Sequence, residues 1–336
     1  MGFISKGKIV KSKRLYAPIL IITHTRINHL KNTIDSLLNC VGAEKTDLYV
    51  ASDGAARESD KPIVLKIRKY LKSVKGFKSV NVIEREKNFG AFDNGFEAKH
   101  LLLKKYGCLI PMEDDLLLGR GFLNYVNDGL KEYWDDSSVI GISAYLSSTL
   151  DGKYKNYFLS EHRSPYASGM WHHKEIWLDK IRLANVARDF LNDRSWFVEF
   201  SRACRYARTL PQIASGEMRA GDIEYSMIML KYNLTSLYAP QNMVRHAGAD
   251  GTGVHSVLND EIQNQPYSNK LMEKINIEKT LFLPKAHAED SRDELSNFRS
   301  AIDLFIFYLS KYVPFSHSLL GFMRFLKKKY LPNFLG

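Results

Sequence analysis

Three consecutive carboxylates, Glu113, Asp114 and Asp115, interrupt an otherwise apolar stretch, LIPMEDDLLLG. Like charges this close repel one another unless a cation or a partner shares the charge. Two readings follow: a solvated acidic turn, or hard oxygen ligands for a divalent cation that bridges a diphosphate. Other polar groups sit in similar settings. Thr23, His24, Thr25 and Arg26 follow the apolar run APILII, and Asp53 lies in ASDG. Asn88 and Gly90 belong to KNFG, Asp222 and Glu224 to AGDIEYS, and His255 to DGTGVH. Thr23, His24 and Arg26 equally suit helix capping or solvation, but Arg26 has the best claim to a ligand, because a guanidinium at a helix start can meet a phosphate with a forked pair of donors. Asp53 either ends a strand in a favoured Asp-Gly turn or offers a carboxylate to a ligand.

These groups need elements to gather them. Ala17 to Thr25 reads as a short β-rich run, and Ile27, Leu30, Ile34, Leu37 and Leu38 follow at helical spacing. Asp47 to Gly54 repeats the strand signal, with Ile63, Ile67, Tyr70 and Leu71 marking a second helix. Ser79 to Glu84, a helix-like AFDNGFEAKHLLLKKYG and a strand from Cys108 to Met112 complete a third repeat. Such alternation predicts a parallel, doubly wound α/β sheet whose ligands lie at the carboxyl ends of its strands. Thr23 to Arg26, Asp53, Asn88 to Gly90 and Glu113 to Asp115 all fall at that rim.

Composition narrows the class. With 336 residues and 45% hydrophobic content, the chain is long enough for one large domain or two smaller ones. A net charge of +11 implies an anionic partner. Three dispersed cysteines without CxxC spacing argue against a disulfide framework or a zinc site, and the first residues carry no secretory apolar run. The expected location is cytoplasmic.

MEDD, SDG and THTR, each after a strand, resemble the nucleotide-sugar-binding half of GT-A glycosyltransferases, near the Golgi N-acetylglucosaminyltransferases and their bacterial relatives. SGMWHHKEIWLDKI resembles their acceptor-side segment, GDIEYSMIM their catalytic-carboxylate helix, and NMVRHAGADGTGVHS their Asp-Gly-Ser/Thr-Gly-x-His loop. The resemblance spans about Pro18 to Ser256. It implies a GT-A fold: Rossmann-like and doubly wound, with helices on both faces of a mostly parallel sheet. It also implies Mn²⁺ or Mg²⁺ as cofactor, held by Asp115, Asp114 and His255, with Asp114 also near the donor ribose. Donor contacts fall to Thr23, His24, Thr25, Arg26, Asp53, Asn88 and Gly90, with Asp53 recognising a uracil ring. Gly169, Trp171 and Glu224 are assigned to the acceptor, and Asp222 to the base of an inverting transfer; the other reading of Asp222 is a helix cap. His246 departs from the Asn-like residue the resemblance leads one to expect.

The implied organisation is a basic arm over 1–16, a donor half over 17–135, an acceptor and catalytic half of the same GT-A domain over 136–260, and an extension over 261–336 with a helical C-terminal tail. Leu304 to Gly336 contains no Asp or Glu, and no apolar run there reaches the roughly 18 residues of a spanning helix. Its basic amphipathic pattern suits either packing on the domain or an anionic membrane surface, which would place the protein on the inner face of the plasma membrane. The expected partners are a nucleotide sugar and a glycan or lipid-linked saccharide acceptor, with no nucleic acid. Two other classes stay open: a nucleotidyltransferase acting on sugar phosphates, which normally carries a glycine-rich basic loop where this chain has THTRINH, and a noncatalytic polyanion- or membrane-binding protein.

Overall fold

In the computed structural model, which describes residues 16–178, 180–203, 207–219, 221–252 and 260–283, the chain opens with three β-α repeats. Strand β1 (Ile19–Thr23) leads into α1 (Ile27–Leu38), β2 (Asp47–Ser52) into α2 (Lys61–Ser73), and β3 (Ser79–Glu84) into α3 (Gly90–Tyr106). Then follow β4 (Cys108–Glu113), β5 (Leu116–Leu118) and α4 (Phe122–Glu132). The helices form where the apolar spacing requires: Ile27, Leu30, Ile34 and Leu37 of α1 are all buried. Gly107 stops α3 in the left-handed region at φ 79°, which glycine enters without a Cβ penalty.

Strand order decides where a ligand site falls. The main sheet runs β3-β2-β1-β4, with those strands parallel, and ends in β8 (Met170–Trp171), antiparallel to β4. The chain adds strands in one direction from β1 to β3 and then returns to place β4 on the other side of β1. The carboxyl ends of β1 and β4 therefore flank the switch point, where loops diverge and leave a crevice. A second sheet, in the order β11-β7-β9-β6, is built from β6 (Val139–Ser143), β7 (Phe158–Ser160), β9 (Thr235–Tyr238) and β11 (Leu281–Phe282). A two-stranded ribbon pairs β5 with β10 (Val244–His246).

The chain divides into two compact units, 1–179 with 228–290, and 180–227 with 291–336. Strands β6, β7, β9 and β10 all belong with the first sheet's unit. In the second unit α5 (Lys180–Asn192) packs on α6 (Arg194–Ala203) and α7 (Leu210–Ser215) through Leu183, Phe190, Phe200 and Ile213. Helix α8 (Gly221–Tyr232) spans the boundary, and Asn233 ends it at φ 53°. His255 and the tail Leu304 to Gly336 lie outside the described residues. Among the described residues, no helix is long and apolar enough to cross a membrane.

One buried cation fastens the first unit. Lys174 Nζ donates to the carbonyls of Tyr133 (2.6 Å), Asp136 (2.8 Å) and Val139 (2.7 Å), and lies 3.6 Å from the centre of the Trp171 ring. Lys174→Met keeps the stem but removes a donor from three carbonyls; that of Asp136 still accepts Val139 N–H, whereas loss of the bonds to the buried Tyr133 and Val139 carbonyls costs about 1–3 kcal/mol each, partly offset by relief of the desolvated charge. The expected result is a melting temperature lower by roughly 5 °C or more. An unchanged melting curve would show that the ammonium is not fastened there.

Candidate active site

The acidic turn sits at the switch point. Thr23 closes β1 and Glu113 closes β4, with Ile22 and Glu113 in register. Asp114 and Asp115 form the turn into β5, and both are 2% exposed. Thr23 Oγ1 donates to Asp114 Oδ2 at 2.6 Å, and Thr33 Oγ1 on α1 donates to the Asp114 carbonyl at 2.8 Å. Arg26 forks across both aspartates, with Nη2 to Asp114 Oδ1 at 2.5 Å and Nη1 to Asp115 Oδ2 at 2.8 Å. Arg26 occupies the N-cap position of α1 without a side-chain cap, so the capping alternative does not describe it. Its expected place as a phosphate donor is here taken by an ion pair.

The far side of the site comes from late in the chain. Antiparallel pairing of β10 with β5 sets His246 opposite Leu116 and so beside Asp115. His246 Nε2 is 3.5 Å from Asp115 Oδ2, and Ala247 N–H donates to the Asp115 carbonyl at 2.8 Å. Gly248 passes so close that a Cβ there would overlap Asp115 Oδ2, a close approach that only glycine permits. Glu113, Asp115 and His246 each present one ligand atom, all within 4.8 Å of one another.

Burial tends to raise the Asp115 carboxyl, but the bond from His246 and the charge of Arg26 overcome it and hold the group below the ordinary range. Glu113, partly open to solvent, is raised by the dense protein around its carboxyl and by the Asp115 charge, against opposition from His246 and Arg26. Asp115 is thus the standing anion of the cluster. Its Oδ1 is buried without a hydrogen-bond donor among the described residues, an arrangement that costs free energy unless a cation or water completes it. Two carboxylates and an imidazole with one orphaned oxygen fit a Mn²⁺ or Mg²⁺ ion.

This cluster differs from the expected ligand set. Asp114 turns its two oxygens to Thr23 and Arg26 and is not one of the three, whereas Glu113 is. The histidine of this cluster is His246, and the expected His255 lies outside the described residues.

Asp53 fills its four acceptor sites internally. Oδ1 takes the N–H groups of Gly54 and Phe89, each at 2.9 Å, and Oδ2 takes Gly90 N–H at 2.9 Å and Asn88 Nδ2 at 3.1 Å. It pins the Asn88–Gly90 loop to the rim, and a base could reach it only by displacing one of these donors. Asn88 Nδ2 also lies 3.4 Å from His24 Nε2. Thr25 uses its carbonyl to accept Ile27 N–H as α1 begins.

The acceptor assignments are corrected. Trp171 is 1% exposed and donates its indole N–H to the Leu130 carbonyl at 2.9 Å, so its ring is core and presents no face to a sugar. Gly169 is buried in a bridge to Ile142, where a Cβ would press on Val126. Glu224 is 2% exposed and forked to Arg219, with Oε1 at 2.5 Å from Nε and Oε2 at 3.0 Å from Nη2. Asp222, by contrast, is an exposed residue in the first turn of α8, and its carbonyl accepts Ser226 Oγ at 2.9 Å.

Sequence reasoning weighed Glu113 within the acidic triplet but left it out of the ligand set that the resemblance implies, and it missed Thr33, Gly248 and the pair formed by His29 Nε2 and Asp250 Oδ2 at 2.9 Å, which ties α1 to the Asp-Gly-Thr loop. The available signal was His29 itself, a polar residue on α1 beside Arg26.

No protein-family profile and no curated protein matches the chain. Solved structures do show partial likeness. The Staphylococcus aureus protein TarS is 13% identical, at a TM-score of 0.33, over 49% of this chain and 29% of that one. Mannosyltransferase PcManGT from Pyrobaculum calidifontis, in complex with GDP-Man and Mn²⁺, is 11% identical at a TM-score of 0.37, over 68% of this chain and 72% of that one. The 1–349 portion of TarS is 12% identical at 0.35, over 65% and 72%. The chain thus spans under a third of the full TarS structure, and at these scores no residue role is carried across.

Proposed function

We propose that the protein is a divalent-metal-dependent glycosyltransferase of GT-A type, moving a sugar from a nucleotide sugar to a glycan or lipid-linked saccharide at the cytoplasmic side of a membrane. The observation that carries the reading is the orphaned Oδ1 of buried Asp115, beside Glu113 and His246 at the switch point of a parallel sheet. Glu113, Asp115 and His246 would hold Mn²⁺ or Mg²⁺. Such an ion, when bound, neutralises charge on the departing diphosphate.

The chain's own groups divide the remaining work. Thr23 and Arg26 fix Asp114 at the rim, and Asp53 holds the Asn88–Gly90 loop against which a nucleoside, here assigned as uridine, would rest. Asp222 takes the acceptor hydroxyl's proton in an inverting displacement, since a sugar hydroxyl is a poor nucleophile at neutral pH.

Purified protein incubated with a panel of nucleotide sugars and Mn²⁺ should release nucleoside diphosphate from one of them, and excess EDTA should abolish the release. Full turnover in EDTA would refute the metal. Release of pyrophosphate from a nucleoside triphosphate and a sugar phosphate would instead identify a nucleotidyltransferase.

A further inference from the structure

Helix α2 carries a cationic face that the described residues balance only at its two ends. From Lys61 to Ser73 it contains Lys61, Lys66, Arg68, Lys69 and Lys72 and no acidic residue. Arg68 turns inward, donating to the carbonyls of Ser52, Asp53 and Arg85. The four lysines point outward and are exposed, sharing one arc with Pro62 and Leu65, while Val64, Ile67 and Leu71 are buried on the opposite side. Lys61 pairs with Glu58 and Lys72 with Glu84, but Lys66 and Lys69 have no ion-pair partner among the described residues.

Such a face is costly for an isolated helix. Lys66–Lys69 and Lys69–Lys72 are neighbours one turn apart, where like charges destabilise and an intervening glutamate would stabilise. Lys61 stands at the positive end of the helix dipole, the wrong end for a cation. Among these lysines, Leu65 is 65% exposed.

We infer that this face of α2 docks on an anionic lipid bilayer. Ammonium groups around a protruding leucine suit a surface that offers phosphate headgroups and, just beneath them, hydrocarbon. The lysine stems reach outward to the headgroups while Leu65 enters the acyl boundary. A soluble polyanion would use the charges but give Leu65 nothing. The docking face begins at Lys61, directly after the loop that leaves the rim at Asp53, so bound bilayer would lie beside the loops at the carboxyl ends of the strands. The inference concerns binding alone and stands whether or not sugar transfer is the reaction.

The full chain should sediment with vesicles of phosphatidylglycerol and phosphatidylcholine and not with phosphatidylcholine alone, with binding weakened by added salt. Lys66→Glu combined with Lys69→Glu should lower vesicle affinity at least about tenfold. Leu65→Ser should lower it severalfold while leaving retention on immobilised polyphosphate unchanged. Both variants alter exposed positions, so melting curves should match the parent. Vesicle binding by the double variant equal to the parent's would overturn the inference. It would equally be overturned if Leu65→Ser had no effect on vesicles while the charge reversal abolished polyphosphate retention, which would assign the face to a soluble polyanion.

Discussion

Asp115→Asn should abolish Mn²⁺ binding within the measurable range and lower donor turnover by roughly a hundredfold or more. The substitution preserves shape and removes the anion that Arg26, His246 and the buried turn are arranged around. The fold should survive, because Arg26 retains Asp114 at 2.5 Å and the Asp115 carbonyl retains Ala247 N–H. Mn²⁺ binding followed by electron paramagnetic resonance reads the site without relying on turnover. Glu113→Gln and His246→Ala should each weaken the ion, whereas Asp114→Asn should act mainly on Arg26 and donor binding. If Asp114→Asn removed the ion and Glu113→Gln did not, the ligand set would be the one expected from MEDD alone. Unaltered Mn²⁺ binding in Asp115→Asn would remove the metal from this turn altogether.

Asp222→Asn should cut transfer to acceptor by roughly a hundredfold or more, with donor hydrolysis and melting temperature little changed. Two carboxylates lie at the start of α8, and the structure distinguishes them. Glu224 is buried and held by Arg219 through two bonds, so its charge is committed. Asp222 is exposed and free of that clamp. If Asp222 served only as a favourable charge in the first turn of α8, its replacement would cost about 1 kcal/mol of stability and leave chemistry intact. Transfer rate and melting curve therefore move in opposite combinations under the two roles. The anomeric configuration of the product, read by NMR, gives an independent check: retention of the donor's anomer would exclude single displacement with Asp222 as base.

The three β-α repeats were legible because their signals are local. A strand of Ile and Val followed by leucines at helical spacing states its own secondary structure, and an acidic triplet directly after a strand must lie at that strand's carboxyl end. Partner choice is not a local property, and there the tertiary structure decided. Placement of β4 beside β1 made the turn a switch-point site. Pairing of β10 with β5 delivered His246 to Asp115, although nothing in either segment names the other. Trp171 and Glu224 look like site residues by type, yet a side chain's role follows from what surrounds it: packing against Leu130 made one core, and Arg219 neutralised the other. Asp53 lies at the rim, but four protein donors reached it first: Gly54 N–H next to it and three from the loop that folds back from Asn88 to Gly90.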